Sequence, residues 1–234
     1  MELNICKTHF IDSNVVIGFV IGWDNLKCKS AKYFDLQDFV RYSSERVYYE
    51  CETVLNNNKR WILQFINKIH KDCEKKSSTN FTSDLSKILD NTVSNICEQY
   101  KYECKKVESS LIGFSEKYQK ELVEIMQGNL KYNIFRARIV KAFNEATDNL
   151  EIVFDNLLEK KVCPSNLGST LFSEYQNLQK TGLHGTDIKI LLDSHYVSFR
   201  ERTSKIGFIT FDNGIIKVKS KIEEIISVRV LKPD

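Results

Sequence analysis

Thr8-His9-Phe10-Ile11-Asp12-Ser13-Asn14-Val15-Val16-Ile17-Gly18-Phe19 is the stretch on which the fold turns. Thr8 to Asp12 is short, apolar and ended by an acid, the pattern of a buried strand. Ser13 onwards reads as a helix, with Asp12 or Ser13 at the N-cap, where a side-chain oxygen accepts from unpaired first-turn N–H groups. The far end of the chain repeats the theme. Ile206-Gly207-Phe208-Ile209-Thr210 reads as a strand, Asp212-Asn213-Gly214 as a turn and Ser227 to Leu231 as a final strand. Strands separated by helices predict an α/β fold whose parallel sheet is built from the two ends of the chain.

Between these ends the pattern is helical. One helix is expected over Ala31 to Tyr42 and a longer one from Ser44, where Val47, Cys51, Val54 and Leu55 lead into Ile62, Phe65, Ile66 and Ile69. Residues 74–80, rich in Lys, Ser and Thr, read as a solvated connection. Near-heptad spacing then runs from Leu85 through Leu89, Val93, Ile96, Tyr100, Val107, Leu111, Phe114, Tyr118 and Leu122 to Ile125. Unbroken, residues 83–127 would form a rod roughly 65 Å long, with Gly113 the expected break. Gly128-Asn129 stops the helix, and Ile134 to Leu158 returns. The predicted organisation is a core of residues 1–74 and 166–234, with residues 75–165 inserted as a helical hairpin or small bundle. Within the core, Cys163 to Gly168 reads as a loop, and Thr186 as the cap of a helix from Asp187 to about Phe199.

With 42% hydrophobic and 28% charged residues, the chain has the balance of an ordinary soluble globular protein. The net charge of +3 is too small to indicate nucleic-acid binding by itself. Seven cysteines lack C-x-x-C pairs, and the four histidines do not stand beside them at zinc-finger spacing. These features point to reduced thiols and a cytoplasmic location. The apolar run Val15 to Trp23 is about half of a membrane span, so no membrane partner is expected.

Four acids stand where open parallel sheets build their sites, beyond the carboxyl ends of strands. Asp12 follows the first strand and Asp212 the strand Ile206 to Thr210, while Glu50 and Asp187 lie near the starts of two helices. Gathered together they would repel one another unless cations neutralised them, and an all-oxygen set selects Mg2+ or Mn2+. Each has a plainer reading: Asp12 as N-cap, Glu50 as solvated helix residue, Asp187 as dipole complement, Asp212 as turn residue. Glu52 and Asp193 are the reserve candidates.

In their order, these contexts resemble the PIN domain family. Phe10 to Ile17 is similar to the family's opening strand and first acid, and Ser44 to Glu50 to the helix carrying its glutamate. Asp187 to Leu191 looks like the helix supplying the third acid, Phe208 to Asp212 like the strand ending in Thr-x-Asp, and Val228 to Pro233 like the closing strand. The resemblance covers roughly residues 1–70 and 180–234. It implies a three-layer α/β/α fold and metal-dependent endonucleolytic cleavage of single-stranded RNA, with Asp12, Glu50, Asp187 and Asp212 as metal-binding catalytic residues. Asn14, Thr210 and Asn213 would position a carboxylate or a phosphate. The chain departs from the family where a further acid commonly follows the Thr-x-Asp aspartate: it has Asn213, Gly214, Ile215 and Ile216.

His184 and His195 are read as surface or loop histidines rather than general bases. Lys59, Arg60, Lys68 and Lys71, and separately Arg136, Arg138 and Lys141, are the candidate phosphate contacts, or else solvated helix faces. The competing expectations are a DNA nuclease using the same carboxylates, and a non-catalytic PIN-like scaffold. In the second, the helical insertion mediates homodimer formation or binds a protein partner.

Overall fold

The computed structural model describes residues 2–75, 85–158, 160–162 and 171–233. They divide into two compact units: residues 1–20, 26–53 and 148–234 make the first, and residues 21–25 and 54–147 the second.

The first unit is an α/β structure around a five-stranded, all-parallel sheet. Strand β1 (Thr8–Ile11) has three of its four residues buried and runs through Asp12 into helix α1 (Ser13–Val20). Helix α2 (Lys27–Asp35) follows and packs on α1. Gly18 permits that closeness, since a Cβ there would meet Ser30 Oγ at 2.5 Å and Leu26 Cβ at 2.9 Å.

The helix expected over Ala31 to Tyr42 therefore ends at Asp35, and Val40–Ser44 is instead strand β2. Asp38 turns the chain with φ of 73°, a left-handed conformation that an aspartate tolerates. Pairing with β1, Thr8 opposite Val40, then outweighs local helical spacing. Ser44 closes β2 and begins helix α3 (Glu45–Lys75), its Oγ accepting from Val47 N–H at 3.3 Å.

After a short edge strand β3 (Lys160–Val162), the unit continues with α8 (Phe172–Gln179), α9 (Gly185–Arg200), β4 (Ile206–Ile209), α10 (Asn213–Lys217), α11 (Lys219–Ile225) and β5 (Val228–Leu231). Helix α9 packs on β2, β4 and β5, with α8 against it, and α11 covers β5. The strand order is β3-β2-β1-β4-β5. The chain thus adds strands on one side of β1 and later returns to its other side, making the gap between the carboxyl ends of β1 and β4 a topological switch point.

Two local expectations are corrected here. The N-cap of α9 is His184, whose ring nitrogen accepts from Thr186 N–H, rather than Thr186 itself. Asp212-Asn213-Gly214 is the capped start of α10 rather than a simple turn.

The second unit is helical: α3 from Val54 onwards, α4 (Leu85–Gln99), α5 (Cys104–Lys117), α6 (Gln119–Met126) and α7 (Tyr132–Ile152) up to Thr147. The heptad-like run is no rod and does not break at Gly113, which lies inside α5. It breaks at the turn Tyr100 to Glu103 and again at Tyr118. The breaks let Ile96, Val107, Leu111, Phe114 and Leu122 close on Trp61, Phe65 and Ile69 of α3 and on Phe135, Ile139 and Phe143 of α7. Each such side chain contributes about 1.5–3 kcal/mol on full burial, whereas a lone rod would leave its apolar stripe in water. Trp23, from the short segment 21–25, seals this core edge-on to Phe143, with ring centroids 4.9 Å apart. Gly128 ends α6 with φ of 76°, and Asn129 N–H bonds to Glu124 O at 2.8 Å, a left-handed helix stop.

The expected connection at residues 74–80 begins later, since Glu74 and Lys75 still belong to α3, while residues 76–80 and the loop Cys163 to Gly168 lie outside the described residues. Among the described residues, no helix is long and apolar enough to cross a membrane.

Candidate active site at the carboxyl edge of the sheet

Asp12 stands where β1 gives way to α1, beside the end of β4: its N–H bonds to Ile209 O at 3.1 Å. It is only 4% exposed. One carboxylate oxygen, Oδ1, accepts from Ser13 N–H at 2.8 Å. The other, Oδ2, accepts from Thr210 Oγ1 at 2.6 Å and from Asn14 Nδ2 at 2.8 Å. Asn14 Oδ1 in turn takes the Phe211 N–H at 2.9 Å, and Thr210 Oγ1 takes the Asp212 N–H at 2.9 Å. These bonds stitch the end of β1 to the end of β4 and fix the orientation of the Asp12 carboxylate. Asn14 and Thr210 therefore hold Asp12 itself.

All three donors to Asp12 are neutral. Burial pushes its pKa up to about 7, the fields of Glu50 and Asp187 add to the rise, and the hydrogen bonds from Thr210 and Ser13 oppose it. Two of the other three sequence-predicted acids thus act electrostatically on Asp12 at the strand end: Glu50, early in α3, and Asp187, in the first turn of α9. Among the described residues, no three His, Cys, Asp or Glu side chains are drawn tightly enough together to form a ligand set by themselves. The donor chemistry nevertheless fits a hard divalent cation, because a buried carboxylate repelled by two others is relieved by positive charge and offers only oxygen.

Asp212 is differently engaged. It is exposed, and its carboxylate accepts from Gly214 and Ile215 N–H as the N-cap of α10. Its tie to Asp12 runs through its backbone N–H and Thr210. Asn213 is also exposed and lies beside Lys232, whose Nζ donates to Asn213 Oδ1 at 3.5 Å. Lys232 follows β5 directly, so it brings a cation to the sheet edge that carries Asp12 and Asp212. Sequence reasoning gave it no role, although its place just after the closing strand was visible. Cys51, one residue after Glu50, was read only as core. It is fully buried, its Sγ donates to Ser13 O at 3.7 Å, and burial together with Glu50 and Asp12 pushes its thiol pKa up.

The reserve acids lie elsewhere. Glu52 is exposed. Asp193 is buried within α9, where Arg46 approaches at 3.4 Å. Burial raises its pKa, opposed by a Ser44 hydrogen bond and by Arg46. His195 is no surface histidine: it is 4% exposed and its Nδ1 accepts from Ser227 N–H at 3.0 Å. His184 is exposed at its cap. Of the basic residues, Lys59 bonds Asn144, Arg60 lies over the Tyr100 ring, Arg138 pairs with Glu121 and Lys141 with Glu145.

Compared with known proteins, the chain matches no family model, no curated protein and no solved structure at a significant level.

Proposed function

We propose that this chain is a PIN-like, divalent-metal-dependent endonuclease that cuts single-stranded RNA, with Asp12 at the centre of its site. Its α/β unit then corresponds to the three-layer core of that family. One observation carries the reading: a buried aspartate at the switch point of a parallel sheet, locked by Asn14 and Thr210, with no cationic donor and with Glu50 and Asp187 raising its pKa.

Mg2+ or Mn2+, held by Asp12 with Glu50 and Asp187, would supply positive charge to the scissile phosphate and lower the pKa of an attacking water. The chain's own residues do the rest. Thr210, Asn14 and Ser13 N–H hold the Asp12 carboxylate in one orientation, so it does not have to reorganise when substrate arrives. Glu50 and Asp187 keep the site anionic, which repels the RNA backbone until a cation is bound. Asn213 and Lys232 stand at the exposed rim, where a carboxamide and an ammonium suit the phosphates flanking the cut.

The test is cleavage of a mixed single-stranded RNA pool in Mn2+ against EDTA, with a matched DNA pool alongside. RNA cutting that needs the metal supports the proposal. Cutting of DNA alone reassigns the substrate, and no cutting by folded protein in either pool leaves a non-catalytic scaffold.

A further inference from the structure

The helical unit carries a polar cavity of about 440 Å3 between α3 and the start of α7, lined by Asn67, His70, Lys71 and Glu74 of α3 and by Tyr132, Asn133 and Arg136 of α7. Its wall is preassembled. The His70 and Tyr132 rings stack with centroids 4.1 Å apart and planes 8° from parallel. The Tyr132 hydroxyl donates to Asn67 Oδ1, and His70 Nε2 faces Glu74 Oε1 at 3.4 Å.

The charges are unequal. Glu74 is the one carboxylate in the lining among the described residues, and it faces His70 at 3.4 Å. Among the described residues, no acid pairs with Lys71 or Arg136. The sequence places these two cations 65 positions apart, on stretches read separately, and helix packing brings them to one cavity. Two cations facing one space select an anion, and a guanidinium beside an ammonium suits phosphate oxygens.

A phosphate ion would occupy little of this open groove, whose volume leaves room for more of a small molecule beside it. The remaining lining is an aromatic stack and two carboxamides. Carboxamides both donate and accept, as the edge of a nucleobase requires, and aromatic rings offer a face to a base. We propose that this cavity is a binding site for a nucleoside monophosphate unit, with the phosphate on Lys71 and Arg136 and the base towards Asn133 and the His70–Tyr132 stack. The unit can come from a free nucleotide or from a single-stranded RNA. The site lies wholly in the helical unit and does not depend on the nuclease reading.

The experiment measures binding to the full chain in EDTA, so that no metal-dependent cutting or metal–phosphate contact contributes. The probes are fluorescently labelled AMP and UMP, a labelled five-nucleotide RNA, and inorganic phosphate as competitor. The variants are Lys71→Ala/Arg136→Ala and Asn133→Ala, each checked for unchanged circular dichroism and melting temperature. The expected result is nucleotide binding that weakens at least tenfold in the double variant and several-fold in Asn133→Ala, with inorganic phosphate competing poorly. Equal affinity for nucleotide and RNA assigns the free molecule. RNA bound at least tenfold tighter, and weakened by the same variants, assigns the strand. Wild-type protein that binds neither probe at millimolar concentration, a double variant that binds normally, or phosphate that competes as well as nucleotide overturns the proposal. If the double variant loses its fold, Lys71→Gln and Arg136→Gln tested singly carry the same comparison.

Discussion

Asp12 and Asp193 are both buried carboxylates in the α/β unit, and the protein treats them in opposite ways. Asp193 is met by a cation of the chain's own, Arg46, at 3.4 Å. Among the described residues, Asp12 is met by neutral donors, while Glu50 and Asp187 act to keep it protonated. A buried carboxylate without a counter-charge is costly. In one region the fold supplies the positive charge internally. In the other it builds a rigid holder with no cation among the described residues, and under the proposed function a bound metal would supply the charge.

The largest effect should separate the two aspartates by activity. Asp12→Asn keeps shape while removing charge, and is expected to lower Mn2+-dependent RNA cleavage at least about a hundredfold. Asp193→Asn should leave the rate per folded molecule within about threefold, since Asp193 pairs with Arg46 and none of the bonds that orient Asp12 runs through it. Single-turnover rates on one RNA measure both. Equal losses in the two variants would erase the distinction.

Stability should show the reverse order. Arg46→Met leaves Asp193 buried without its cation and is expected to destabilise the protein by about 2–3 kcal/mol, below the full range for broken buried pairs because Arg46 is partly exposed. Urea denaturation checks it. A change near zero would mean that Arg46 does not offset the burial of Asp193.

The pH profile sharpens the comparison further. The folded pKa of Asp12, about 7, lies above its ordinary value of 3.8. Between those values the folded chain holds a proton that the unfolded chain has lost. Asp12 therefore lowers stability as pH rises through that window, by up to about 1.4 kcal/mol per pH unit. Asp12→Asn should flatten this slope in EDTA-treated protein. Mn2+ at a hundredfold over its Kd should restore about 2.7 kcal/mol to the wild type above pH 7, and nothing to the variant. A wild-type slope that is unchanged by Asp12→Asn would place the proton elsewhere.

The smallest effect concerns Asp212. Asn caps helices about as well as Asp, so Asp212→Asn should alter stability by less than about 0.5 kcal/mol. Loss of cleavage without loss of stability would bring Asp212 into the metal site. Unaltered cleavage would leave it as the cap of α10.

Much of the α/β unit was legible because its signals are local. A short apolar strand, an acid and a change of periodicity define β1, Asp12 and α1 within a dozen residues. Ser44 and Glu45 announce α3 in the same way. Strand β2 was missed because Val40 to Ser44 is polar enough to read as helix, and what makes it a strand is β1, some thirty residues away. His195 was misread for a similar reason: nothing near it in sequence reveals that Ser227 closes over its ring.

The sequence by itself determined which residue types stand at strand ends and helix starts, and so that Asp12, Glu50, Asp187 and Asp212 could share one edge of a parallel sheet. Only the tertiary structure decided which of them interact. Thr210 reaches Asp12 Oδ2 across 198 positions, to the same oxygen that the neighbouring Asn14 holds, Arg46 finds Asp193 rather than Asp12, and Asp212 turns to its own helix. Strand and helix signals depend on neighbours within a turn or two. Burial and the electrostatics of a carboxylate depend on what the fold brings within a few ångströms, and no local pattern carries that information.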